Sequence, residues 1–205
     1  MRKDKTELCS LFEKYKSDKC DEIYHTYSKI YNDILSHEKY SALNIIEIGI
    51  GNKNLMMPIV GKDYEEGASL KAWRDFFVNA NVFGLDIDKS VLFSDNRIYC
   101  YFTDQSSPEI LEQTILNIKQ KHNIEYFDFI IDDGSHIKEH MICSILTLSK
   151  FLKNEGIYII EDIKDNEIDF FVKHVPSDMR ILLKYYGNTG KVKTQDNFIA
   201  YKKHK

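Results

Sequence analysis

The chain has 205 residues, 43% of them hydrophobic and 29% charged, enough for one globular domain with a full core. Its formal net charge of −4 argues against nucleic acid as the main partner, and the closing Lys202-Lys203-His204-Lys205 reads as a solvated tail. Met1-Arg2-Lys3-Asp4-Lys5 leads into no apolar core, and no apolar run reaches the roughly 18–20 residues that cross a bilayer, so neither a secretory leader nor a membrane span is expected.

Cys9, Cys20, Cys100 and Cys143 show neither C-x-x-C spacing nor a regular interval, and read as reduced thiols of a cytoplasmic protein. There is no internal repeat. Three scattered prolines (Pro58, Pro108 and Pro176) mark no linker, so a single domain over 1–205 is expected.

Residues 5–16 place Leu8, Leu11, Phe12 and Tyr15 on one face of an amphipathic helix. The polar stretch 16–21 predicts a loop. A second helix carries Ile23, Tyr24, Tyr27, Ile30, Tyr31 and Ile34, with His25 alongside; such a stripe packs on a core with its hydroxyls at the edge. Both helices precede the first strand, so 1–40 is expected to form a helical cap, able to cover a ligand site, on a core of 41–205.

The first strand, Asn44 to Ile48, runs into Gly49-Ile50-Gly51. Glycines directly after a strand let the backbone approach a ligand closely. The third glycine of a dinucleotide fingerprint is missing. Residues 52–66 read as a loop, and a helix opens at 67–71 with Ser69 as its N-cap.

The second strand, Val82 to Leu85, ends at Asp86-Ile87-Asp88. An acid at this tip can accept from both hydroxyls of a ribose diol; the plainer reading is a helix cap. A nicotinamide-binding unit places its acid about 20 residues after the glycines. Asp86 follows Gly51 by 35, which weakens that reading.

A third strand, 97–102, precedes Asp104-Gln105-Ser106-Ser107, where Asp104 or either serine can cap the helix of 108–121. That helix is expected to turn Ile110, Leu111, Ile115, Leu116 and Ile118 inward. A functional reading instead gives Asp104 and Gln105 hydrogen bonds to a purine edge.

The organising stretch is Asp128 to His136. Phe129, Ile130 and Ile131 suit a strand buried on both faces, and it breaks off into Asp132-Asp133-Gly134-Ser135-His136. A helix over 137–152 follows, closed by Gly156 as a left-handed stop. The fifth strand, 157–160, ends in Glu161-Asp162. Asp133, Glu161 and Asp162 can thus converge at one sheet edge, where they repel unless something positive lies between them. A hard cation such as Mg²⁺ is the simplest candidate; solvated loop acids are the plain alternative.

A short helix over 167–173 and two strands, 180–186 and 197–201, joined through Gly187-Asn188-Thr189-Gly190, complete the chain. Together the elements predict an α/β, Rossmann-like, seven-stranded sheet with helices on both faces and a C-terminal antiparallel hairpin.

These residues form a pattern. The chain resembles the class I S-adenosylmethionine-dependent methyltransferases, and more narrowly the metal-dependent sugar and macrolide O-methyltransferases of the mycinamicin and macrocin type. The resemblance runs through Ser17-Asp18-Lys19, His25-x-Tyr27, the glycines after Glu47, Gly67 to Leu70, Gly84 to Asp88, Asp104-Gln105, Asp132 to His136 and Gly156 to Asp162.

It implies that Glu47, Gly49, Gly51, Ser69, Leu70, Asp86, Asp104, Gln105 and Asp132 hold S-adenosylmethionine. It further implies that Asp133, Glu161 and Asp162 ligate Mg²⁺, and that His136 is the general base. Lys16 and Cys20 replace the glycines usual around the early Thr-Asp-Lys, and at 205 residues the extra N-terminal domain of the longer macrolide enzymes is not expected. The acceptor stays open between a glycoside, a nucleotide sugar or polysaccharide precursor of a capsule, and a phosphoramidate. A homo-oligomer is compatible with the sequence. A nicotinamide-dependent oxidoreductase and a non-catalytic nucleotide-binding domain are the competing classes.

Overall fold

A computed structural model of the chain describes residues 5–20, 23–41, 43–186 and 197–204. Eight strands form one sheet: β1 Asn44–Ile48, β2 Asn81–Asp86, β3 Ser94–Asp95, β4 Ile98–Phe102, β5 Phe127–Asp132, β6 Leu152–Ile163, β7 Met179–Tyr185 and β8 Asn197–Lys203. Their order is β3-β4-β2-β1-β5-β6-β8-β7. From β4 to β6 all neighbours are parallel; β3, β8 and β7 pair antiparallel. The strand beyond the seven expected is the two-residue β3, too short to show any alternation of side chains.

The strands near the middle are apolar on both faces because helices cover both. Ile45, Val82, Phe129 and Ile159 face one layer, with α1 (Glu7–Tyr15), α2 (Tyr27–Leu35) and α4 (Ala68–Phe76). Ile46, Phe83, Ile130 and Ile160 face the other, with α5 (Pro108–His122), α6 (Lys138–Leu148) and α7 (Ile168–Lys173). Trp73 anchors the N-terminal helices: its ring centroid lies 4.9 Å from those of Phe12 and Tyr31. Cys9 and Cys20 are reduced and buried, with Sγ atoms 3.3 Å apart.

Several local expectations are corrected. The second helix begins only at Tyr27, so Ile23, Tyr24 and His25 lie in the turn before it. Residues 52–66 are not all loop: α3 (Lys53–Val60) forms, capped by the Asn52 side chain on the Asn54 amide. Pro58 lies inside it and none of its residues is buried, so no buried face betrayed it in the sequence.

Gly67, at φ +71, caps α4, and Ser69 falls inside the first turn. Of the three caps open for α5, Ser107 is the one used, accepting from the Ile110 amide. Ile110 and Leu116 point outward, and Thr114 takes an inner position. Gly156 stops no helix. It lies within β6, where a Cβ would stand 2.8 Å from the Lys153 carbonyl oxygen and 2.9 Å from that of Asp128. The turn at 187–190 lies outside the described residues, but β7 and β8 pair as expected. Among the described residues, no helix is long and apolar enough to cross a membrane.

Candidate active site

The sheet order places the carboxyl ends of β2, β1, β5 and β6 side by side, so Asp86, Gly49, Asp133 and Asp162 follow one another along one edge. The strand order reverses at β1, with β2 on one side and β5 on the other; open α/β sheets bind ligands at such a point. Gly49 has φ +94 and accommodates a crossing of loops. A Cβ there would stand 2.0 Å from the Asp133 carbonyl oxygen. Gly49→Ala is therefore expected to lower stability by about 1–3 kcal/mol, read as a fall in Tm, because it adds a clash to backbone strain. An unchanged Tm would mean that this crossing is loose.

The glycine end is built by Gly49, Gly51, Ser69, Asp86, Asp104 and their neighbours. Asp86 organises it: one carboxylate oxygen accepts from the Ile50 amide at 2.9 Å and the other from the Asp88 amide at 2.9 Å. Each oxygen keeps a lone pair for a further donor. Asp104 uses one oxygen on the amide and hydroxyl of Ser106.

Gln105 lies against the cavity, but its amide is committed. Its nitrogen donates to Asp132, and its oxygen accepts from the Ser135 amide at 2.9 Å. Gln105 thus ties β5 to the loop behind it instead of offering a free edge. Asp132, Glu47 and Leu70 do not line the cavity. Asp132 is sealed, and burial pushes it up to about 7 despite the Gln105 hydrogen bond. Leu70 packs beneath Gly84, where a Cβ would meet it at 2.6 Å. Glu47 accepts from the Trp73 indole at 2.9 Å, and burial lifts it to about 7 against the pull of Lys19.

The second end gathers charge. Ligand atoms of Asp133, His136 and Asp162 all lie within 4.8 Å of one another. His136 Nε2 stands 3.1 Å from Asp133 Oδ1 and 3.6 Å from Asp162 Oδ2. Partial burial would lower its pKa, but the Asp133 hydrogen bond and the charges of Asp133 and Asp162 outweigh that and raise it to about 9.

Glu161 does not join this group. One of its oxygens meets the Lys19 ammonium at 2.8 Å and the other takes the Tyr31 hydroxyl. Burial pushes its carboxyl well up in spite of Lys19. Asp133 would also rise on burial, yet Lys19 and His136 hold it well below the usual carboxylate range. Lys19 thus supplies positive charge from within the chain to two of the three acids, Asp133 and Glu161, but not to Asp162.

Asp162 accepts from the Tyr27 hydroxyl at 2.6 Å, and His25 stands 3.8 Å from both Asp162 and Asp18. His136 (φ 53) and Asp162 (φ 54) are two of only six non-glycine residues with positive φ among the described residues. Strain of this kind collects at functional sites.

The two ends share one cavity of about 1120 Å³, lined also by Asp18, Tyr24, His25, Leu55, Tyr64 and His140. Cavities for a single small ligand run to roughly 300–1,000 Å³, so this one has room for a second molecule beside a nucleoside. Sequence reasoning gave no role to Lys19, Tyr64 or His140. Lys19 and Tyr64 carry no periodicity, and His140, bonded to Ser135 at 3.0 Å, sits in the first turn of α6 where helices commonly carry polar residues.

No protein-family model matches. L-olivosyl-oleandolide 3-O-methyltransferase of Streptomyces antibioticus is 35% identical over 149 residues, covering 73% of this chain and 35% of that protein. Demethylmacrocin O-methyltransferase of Streptomyces fradiae is 30% identical over 161 residues, 78% of this chain and 37% of the other. Among solved structures, the MycE methyltransferase of the mycinamycin pathway, in complex with Mg, S-adenosylhomocysteine and mycinamycin VI, superposes with TM-score 0.72 at 24% identity. That match covers 98% of this chain and 54% of the other. The chain is a homologue of these sugar O-methyltransferases, with the class I methyltransferase fold. It spans about a third of the length of the curated relatives it matches.

Proposed function

We propose that the chain is an S-adenosylmethionine-dependent O-methyltransferase that methylates a sugar hydroxyl on a small glycoside, assisted by Mg²⁺. The observation that carries this is the single cavity with two unlike ends: glycines and Asp86 over β1 and β2, carboxylates and an imidazole over β5 and β6. The glycine end suits a nucleoside with an amino-acid tail. Gly49 and Gly51 present bare backbone, Asp86 has lone pairs for a ribose diol, and Asp104 has an oxygen for an adenine amine.

The acid end fits one divalent ion. Donor atoms within 4.8 Å of one another suit metal–oxygen distances near 2.0–2.6 Å. Asp133 and Asp162 would hold it, with Glu161 a third carboxylate standing behind them on Lys19. The ion would lower the pKa of a coordinated hydroxyl. The rest falls to the chain. Methyl transfer from a sulfonium is an in-line displacement, so walls that fix both reactants supply much of the rate. His136, beside Asp133 and Asp162, would take the hydroxyl proton; without the ion its Nε2–H is the donor to Asp133, so it acts as a base only once the ion has engaged those carboxylates.

The names of relatives that act on an L-olivosyl-oleandolide and on rhamnosyl tetracenomycins support a glycoside as acceptor. Nothing on either side points to a capsule precursor or a phosphoramidate. Calorimetry with S-adenosylhomocysteine tests the cofactor reading. Binding is expected, and none at millimolar ligand would remove it. Stabilisation by NAD(H) instead, in a thermal-shift assay, would favour the oxidoreductase. Mass spectrometry of glycosides and nucleotide sugars for the gain of one methyl group then identifies the acceptor; cofactor binding with no acceptor modified would favour a sensor.

A further inference from the structure

Lys19 belongs to a polar run that reads as surface loop, yet it is only 1% exposed. Its ammonium meets carboxylates from three separate elements. It contacts Asp133 Oδ2, lies 2.8 Å from Glu161 Oε2, and stands 3.4 Å from Glu47 Oε1. A buried ammonium is costly without partners, and three crowded carboxylates are costly without a cation; each offsets the other. Glu47 Oε1 has no hydrogen-bond partner, so the ammonium lies nearest the other two acids.

The geometry points to Lys19 as a positioning residue: by holding Oδ2 of Asp133 it turns Oδ1 toward His136 and the cavity, and together with Tyr31 it fixes Glu161 behind that pair. Asp162 is held differently, by the neutral Tyr27 hydroxyl at 2.6 Å. Lys19 thereby orients one of the two carboxylates that face the cavity. The inference rests on the reading that Asp133 and Asp162 hold a divalent cation.

Two effects of Lys19 on a bound cation have opposite signs. Removing a nearby positive charge would by itself tighten cation binding. Removing an orienting partner of a ligand typically weakens it about 10–100-fold. Mn²⁺ binding, followed by electron paramagnetic resonance, distinguishes them. Lys19→Met is expected to weaken Mn²⁺ binding at least tenfold while S-adenosylhomocysteine affinity, by calorimetry, stays within about twofold.

Lys19→Met leaves buried acids without their cation and can unfold the chain. The comparison is therefore repeated between Glu161→Gln and the Lys19→Met/Glu161→Gln double variant, with the same loss expected on adding Lys19→Met. Equal or tighter Mn²⁺ binding on removal of Lys19 overturns the inference alone. Wild-type protein that binds S-adenosylhomocysteine but no Mn²⁺ overturns the metal reading and this inference with it.

Discussion

EDTA is expected to abolish methyl transfer, and Mg²⁺ in excess to restore it. The expectation comes from the acid end of the cavity. Asp133 and Asp162 face each other across His136, and their donor atoms lie close enough to share one ion. Without a cation, an acceptor hydroxyl there meets two carboxylates and a poor prospect of ionising, since an alcohol is a weak acid at neutral pH.

Asp133→Asn and Asp162→Asn should each weaken metal binding, but they should differ in stability. Asp133 answers the buried Lys19, so its neutralisation strips a partner from a sealed charge. Asp162 is held by a tyrosine hydroxyl and is more easily spared. Melting curves of the two variants therefore separate a metal role from a structural one. Full activity in EDTA with saturating acceptor would sink the metal role and leave His136 acting alone.

The parts of this molecule that were legible in the sequence are those where one physical signal dominates. Ile45-Ile46 and Phe129-Ile130-Ile131 read as strands because only a doubly covered sheet makes such short runs continuously apolar. The acids ending β5 and β6 were placed at one edge correctly, because parallel neighbours bring equivalent ends together.

What sequence could not give is direction. Asp132 and Asp133 are adjacent, yet one is sealed against Gln105 and the other faces the cavity. Glu161 and Asp162 divide the same way, one toward Lys19 and Tyr31, the other toward Tyr27 and His136. Asp162 stands at φ 54, a conformation aspartate adopts more readily than most residues but too seldom for the sequence to announce it.

Lys19 was illegible for a related reason. Its partners lie 28, 114 and 142 positions away, so its burial is a property of the assembled sheet edge alone. The tyrosines of α2 read as core packing with hydroxyls at the rim. The packing is correct, since Tyr27 and Tyr31 are fully buried, but their hydroxyls point inward to Asp162 and Glu161. The N-terminal helices are thus part of the site's scaffold as well as its cover.

His136→Ala is expected to lower kcat by about 10²–10⁴-fold, the usual contribution of a general base, while leaving S-adenosylhomocysteine affinity nearly unchanged. The affinity should hold because His136 bonds within the Asp133–Asp162 end of the cavity. The pH profile carries the decisive sign. A base must be neutral to accept a proton; in the metal-free site its carboxylate neighbours raise His136 to about 9, and a divalent ion on Asp133 and Asp162 would bring it down. The wild-type rate should therefore climb with pH as the imidazole of the loaded enzyme loses its proton, and fall as pH drops.

Folding stability moves the other way. A histidine raised above its unfolded value near 6.5 stabilises the fold fully below that pH, and the contribution fades as pH rises through about 9. The metal-free wild type should therefore lose stability between about pH 6.5 and 9, and this loss should be absent in His136→Ala. A variant with near-wild-type kcat and an unaltered pH profile would move the proton elsewhere. His25, 3.8 Å from the far side of Asp162, would then be the imidazole to test next.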